Sequence, residues 1–161
     1  MEPIEWCLGF VFNKELNTVL LLRKGRTLHI GSWNGLGGRL HPGESPIESM
    51  VRECYEECGV LIDETLWYKV GSINFNGNAN RVHVFATWVE SMSDAMRKKF
   101  DRDESALVVY NKICDVPINV DVSTLDLFQL APHTKQFIYW SSLKLKDPTR
   151  SIVSVKEIAV V

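Results

Sequence analysis

No stretch of the 161-residue sequence is apolar for long enough to span a bilayer, and the opening Met1-Glu2-Pro3-Ile4-Glu5 lacks the basic-then-apolar order of a signal peptide. A cytoplasmic protein with no membrane partner is the expectation. Charge of one sign is lacking too: 18 Lys and Arg against 20 Asp and Glu leave a net charge of −2. Binders of long polyanions are more often basic, so no nucleic acid polymer is expected as a partner. Cysteine is sparse, and the four at positions 7, 54, 58 and 114 form no CxxC pair. All four read as reduced thiols, without a redox role. Repeats and low-complexity segments are absent. With 45% hydrophobic and 24% charged residues, the chain has enough apolar material for one core, and a single domain over 1–161 is expected.

What the sequence does have is concentrated between Gly38 and Val60, GRLHPGESPIESMVRECYEECGV. Glu53, Glu56 and Glu57 follow Arg52 within five positions. At ~3.6 residues per turn, position 53 lies beside both 56 and 57, so three carboxylates share one helix face. In a partly enclosed site with an effective dielectric near 20, two such charges ~6 Å apart repel by ~3 kcal/mol. A hard divalent cation turns that repulsion into binding, and an all-oxygen donor set suits Mg2+, or Mn2+ in its place, rather than Zn2+. The opposite face, Ile47, Met50, Val51, Cys54 and Cys58, has the spacing of a buried stripe. Ser45 reads as the N-cap, Pro46 as the first helical residue, Glu48 as the partner in a capping box, and Gly59 as the stop. Pro42 and Gly43 predict a turn that brings the preceding strand end alongside the acidic face.

Gly38, five residues, Glu44, seven residues, then Arg52-Glu53-Cys54-Tyr55-Glu56-Glu57-Cys58-Gly59-Val60 resembles the complete signature of the Nudix hydrolases, which cleave nucleoside diphosphates linked to another group. A buried Cys54 replaces the bulkier aliphatic residue usual there, which changes packing rather than chemistry. The resemblance implies an α/β fold, an α/β/α sandwich with a central mixed sheet flanked by the signature helix and a C-terminal helix. It also implies a carbonyl metal ligand at Gly37 or Gly38. Glu104, just ahead of the apolar Leu107-Val108-Val109-Tyr110, matches the place where relatives add an acid from outside the signature.

Around this stretch, residues 6–12 and 18–23 read as a hairpin, and the unbroken apolar run 19–22 as a strand covered on both faces. Tyr68 to Phe75 and Arg81 to Val89 read as a second strand pair about an Asn/Gly turn. The loop from Gly25 to Ser32 carries Arg26 and His29, and Arg97, Lys98 and Lys99 lie in a polar run. A helix opening at Ala131-Pro132-His133-Thr134, with Phe137, Trp140 and Ser141 inward, is expected opposite the acidic helix. Ser151 to Val161 suggests a last edge strand.

In Trp33-Asn34-Gly35-Leu36-Gly37-Gly38 an Asn side chain offers a donor and an acceptor, the equipment to read a purine edge, although a turn Asn beside a core Trp has the same sequence. This stretch, with Leu20 to Lys24 and Arg81 to Thr87, is similar to the animal oxidised-purine nucleoside triphosphatases, which act on 8-oxo-dGTP and 2-hydroxy-dATP. That likeness implies base contact for Asn34 and substrate proximity for Lys24. Where that branch holds the base with a Trp and paired Asp residues, positions 121–126 have neither, and Asp126, then Asp121, are the acids left. Phe75 is a candidate to stack on a base or to fill the core. Markers of ADP-ribose or diadenosine polyphosphate hydrolases, a Pro and then a Tyr downstream of the signature, are replaced by Phe75, Asn76, Gly77 and Asn78.

Together these imply metal-assisted hydrolysis of a nucleoside triphosphate to monophosphate and pyrophosphate. Glu53 or Glu56 would accept the proton of the attacking water, Arg52 would orient a glutamate, and Glu44 would support the loop or an outer-shell water. A hydrolase of another nucleotide conjugate and a non-catalytic nucleotide-binding module are the alternatives.

Overall fold

One mixed sheet carries the molecule, and its central strands are buried on both sides. The computed structural model describes residues 2–23, 32–90, 117–149 and 157–158. Eight strands are described: β1 (Ile4–Asn13), β2 (Thr18–Arg23), β3 (Trp33–Asn34), β4 (Leu36–Arg39), β5 (Tyr68–Phe75), β6 (Asn80–Val89), β7 (Pro117–Asp121) and β8 (Glu157–Ile158). Two α-helices accompany them, α1 (Pro46–Cys58) and α2 (Thr134–Lys146). The main order is β3-β2-β1-β6-β5-β8, with β4 paired to β1 and β7 to β2. The long parallel pairing of β1 with β6 lies at the middle, and β1–β2 and β5–β6 are the two antiparallel hairpins the sequence predicts.

The run of apolar residues in β1 and β2 sorts by alternation. Leu8, Phe10, Phe12, Val19 and Leu21 enter one core with Phe137, Ile138 and Leu145 of α2. Cys7, Val11, Leu20 and Leu22 enter a second core with Met50, Cys54 and Cys58 of α1. Period-2 side chains with both faces covered explain why the strand sequence is continuously apolar. Each fully buried large side chain contributes about 1.5–3 kcal/mol. Helix α1 crosses β1 closely at Gly9, where an added Cβ would stand 2.5 Å from Met50 Sδ.

The local signals of α1 are realised. Ser45 Oγ accepts from Glu48 N–H, Glu48 answers to Ser45 N–H, Pro46 opens the first turn, and Gly59 ends the helix with φ 76°. The buried stripe contains Met50, Cys54 and Cys58 as expected, with Ile47 and Val51 partly buried against it. It also contains Ser49, which is fully buried and 3.2 Å from Cys7 Sγ. Burial pushes the Cys7 thiol up to about 11, so it stays protonated. In α2, Phe137 and Ser141 face inward with Ile138, and Trp140 is partly buried. Ser72, His83 and Glu5 tie β5, β6 and β1 together, at 3.0 Å to His83 Nδ1 and 2.9 Å to its Nε2.

Replacing Phe10, wholly buried between strands and α2, with Ala should lower the unfolding free energy by about 3–5 kcal/mol in urea titration. Leu127→Ala, at a side chain 82% exposed, should shift it by less than about 0.5 kcal/mol. Equal effects at the two sites would contradict this core.

Candidate active site

Arg52 is the centre of the acidic face. Its guanidinium donates to Glu44 twice, Nε to Oε2 at 2.7 Å and Nη2 to Oε1 at 3.0 Å. Its Nη1 donates to Glu53 Oε1 at 3.0 Å and to Glu56 Oε2 at 3.1 Å. Positions 52 and 56 are one helix turn apart, which lets one cation serve both. Glu44 arrives from the turn before α1, and its Oε1 also accepts from His41 N–H at 3.0 Å, so one carboxylate fixes the turn to the helix. The Arg52 and Glu44 side chains are only 21% and 14% exposed. In that setting, two parallel charge-assisted bonds hold the Glu44 carboxyl down from 4.5 to about 2 and raise the pKa of Arg52.

The strand end before the turn closes the other side. Glu57 Oε1 accepts from Gly37 N–H at 2.7 Å, which ties β4 to α1 across twenty residues. At Gly37, φ is 151° and an added Cβ would fall 2.0 Å from the Cys7 carbonyl oxygen. At Gly38 an added Cβ would fall 2.5 Å from Glu53 Oε1. Only glycine lets β4 lie this close to the carboxylates. Glu53, 14% exposed, is thus held between Arg52 and the Gly38 backbone, whereas Glu56 is 54% exposed at the rim. The cluster has three carboxylates on one guanidinium, with Glu57 on the Gly37 amide, and is net negative. Among the described residues no three His, Cys, Asp or Glu side chains stand arranged around a common metal position. The donors are nevertheless all oxygen, hard and anionic, and a backbone without Cβ passes beside them. That chemistry fits a hard divalent cation.

Asn34 lies on β3, four residues before Gly38. Its Oδ1 accepts from Gly35 N–H at 2.7 Å and from the hydroxyl of Thr134, first residue of α2, at 3.1 Å. The strand is laced to the segment before α2, with Trp33 N–H donating to Gln129 O and Ala131 N–H to Trp33 O, both at 2.8 Å. Arg23 lies over the Trp33 ring at 5.8 Å. The segment brought to Asn34 is therefore 129–134, eight positions beyond the 121–126 stretch that sequence matching suggests.

Asp126 is exposed and bonded to Lys135 Nζ at 2.6 Å, and Asp121 caps its own turn through Ser123. Neither is joined to Asn34 or to the acids by any hydrogen bond or ion pair among the described residues. Phe75 is half-buried against the α2 core, its ring 5.9 Å from that of His133. Lys24, Glu104, the loop with Arg26 and His29, and the basic residues 97–99 lie outside the described residues. Thr134 and Ser49 were not legible as site residues: Thr134 meets Asn34 across one hundred positions, and no local pattern marks it.

Glu44 is the acid whose titration this geometry changes most visibly. Ionised in the folded state down to about pH 2, it contributes stability that is present above pH 4.5 and is lost as pH falls from 4.5 toward 2. Glu44→Gln should flatten that part of the stability-against-pH curve in chemical denaturation; an unchanged acid limb would show that the Arg52 pair does not hold in solution.

Comparison with known proteins agrees with this geometry. A family model described as the NUDIX domain matches residues 7–119. The "Oxidized purine nucleoside triphosphate hydrolase" of Danio rerio is 44% identical over 57 residues, 35% of each chain. Its namesake in Mus musculus is 40% identical over 72 residues, 42% of this chain and 45% of that one. The matched segment thus spans less than half the length of these curated relatives. Among solved structures, a mutT/nudix family protein from Listeria innocua superposes with a TM-score of 0.65 at 17% identity, over 92% of this chain and 97% of that one. With seven tenths of its length matched by the family model and the signature acids gathered round Arg52, the chain belongs to the Nudix family.

Proposed function

We propose that the chain is a Nudix hydrolase that cleaves a nucleoside triphosphate, an oxidised purine nucleotide by preference, to the monophosphate and pyrophosphate. The observation that carries the reading is the held cluster itself, Glu44, Glu53 and Glu56 on one guanidinium beside the Gly38 backbone. Its side chains divide by role. Arg52 and Glu44 bear on other protein groups and set positions; Glu53 and Glu56 present carboxylate oxygens, one of which accepts the proton of the attacking water. Glu53, Glu56 and Glu57, with a carbonyl of Gly37 or Gly38, would hold Mg2+ or Mn2+, which neutralises phosphate charge and acidifies bound water when present. The oxidised-purine preference rests on likeness to the named fish and mouse hydrolases and on Asn34 at the neighbouring strand. Glu104 as a further metal acid and Lys24 as a residue close to the substrate extend the same reading. Holding the reacting groups in place is the protein's main contribution, since phosphoanhydride hydrolysis needs little covalent chemistry from it.

The test is a nucleotide panel in Mg2+ with pyrophosphate and phosphate measured separately. Pyrophosphate release is expected, abolished by a chelator; no turnover of any member with Mg2+ or Mn2+ would leave only a binding module. Glu53→Gln and Glu56→Gln should each lower kcat by about 100-fold or more at unchanged melting temperature. Gly38→Ala, which pushes the Glu53 carboxylate, should lower it by about 10- to 100-fold. Near-wild-type rates in these variants would overturn the assignment.

A further inference from the structure

We infer that Thr134 and Gly35 lock the Asn34 amide as a donor, so that this chain selects purines bearing a carbonyl at C6 over purines bearing an amine there, with Thr134 as a positioning residue. The inference rests on the reading of Asn34 as the base-contacting side chain.

The amide oxygen of Asn34 has two lone pairs, and both are engaged: Gly35 N–H donates at 2.7 Å and Thr134 Oγ1 at 3.1 Å. The assignment of oxygen and nitrogen follows from chemistry, since a backbone N–H only donates and the atom facing Gly35 must accept. Turning the amide over would set NH2 against that N–H. A side chain at position 35 has no room, because an added Cβ would stand 2.5 Å from the Gly9 carbonyl oxygen. Thr134 is wholly buried, and Ala131 N–H and Gln129 O hold the segment before it to Trp33. Asn34 Nδ2 makes no hydrogen bond among the described residues, and Asn34 is half-buried, so its two N–H groups are what a ligand meets. A free Asn reads an adenine edge by donating to N7 and accepting from the C6 amine. This one cannot accept. A base that offers an acceptor at C6, as guanine, hypoxanthine and 8-oxoguanine do, satisfies the amide, while a C6 amine leaves two donors facing each other. Sites that mismatch a buried polar group in this way discriminate strongly.

The experiment compares kcat/KM for dITP and dATP, and for 8-oxo-dGTP and 2-hydroxy-dATP, in wild-type protein and in Asn34→Asp, Thr134→Val and Thr134→Ser. Wild type should favour the 6-oxo member of each pair by about tenfold or more. Asn34→Asp, which turns the exposed donor into an acceptor, should shift the ratio toward the 6-amino member. Thr134→Val, close in shape, should reduce the ratio about fivefold through KM rather than kcat, and Thr134→Ser should restore it. Melting temperatures identify any variant that fails to fold, and the ratio of dissociation constants measured on Glu56→Gln protein repeats the comparison without turnover. If Asn34→Asp alters the ratio and Thr134→Val does not, or if Val and Ser lower kcat alike, the role of Thr134 is overturned. If Asn34→Asp leaves the ratio unchanged, the base-contact reading itself fails.

Discussion

One guanidinium holds the acidic face together. Glu44, Glu53 and Glu56 would repel one another without it, and Arg52 sits among them with four hydrogen bonds of 2.7–3.1 Å. The arrangement does more than relieve charge. Glu44 belongs to the turn and its oxygen also fixes His41, so the same cation that orders the helix carboxylates anchors the strand-to-helix connection. The net charge of the cluster stays negative after Arg52 is counted. A site so built is ordered enough to position groups, and still short of positive charge.

The sheet explains why the cluster has a floor. Helix α1 packs on the face formed by Cys7, Val11, Leu20 and Leu22, and β4 runs antiparallel beside β1 in the register Cys7 to Gly38. That register sets the Gly38 backbone against the Glu53 carboxylate and the Gly37 amide against Glu57. A side chain at either glycine would separate strand from helix. The geometry of the acidic cluster and core packing therefore share one helix: the helix that presents acids outward presents Met50, Cys54 and Cys58 inward, and shifting one face moves the other.

Asn34 is positioned by a different part of the fold. Its strand is bonded to residues 129–131, and its amide oxygen to Thr134 at the start of α2. The proposed reaction chemistry and the proposed base contact thus fall on two elements, α1 and the β3–α2 junction, that are joined through the glycine-rich strand between them.

Much of this was legible in one dimension. The cap at Ser45, the stop at Gly59, the placing of Glu53 and Glu56 beside Arg52, and the two-sided burial of β1 and β2 all follow from periodicity and short-range hydrogen bonding, which act over a few residues and leave their mark in local order. Which segment faces Asn34 did not follow. The sequence pointed to Asp121 and Asp126, yet these carboxylates are bonded to their own neighbourhood, to Ser123 and Lys135, while Thr134 lies at Asn34. Likewise, nothing local told that Glu57 would accept from Gly37 or that Arg52 would take Glu44, Glu53 and Glu56 at once. The chain by itself determined the elements and the chemistry of their faces; only the tertiary structure decided which donors meet which acceptors, because contacts twenty to one hundred residues apart depend on sheet register and helix docking, and those are properties of the whole core.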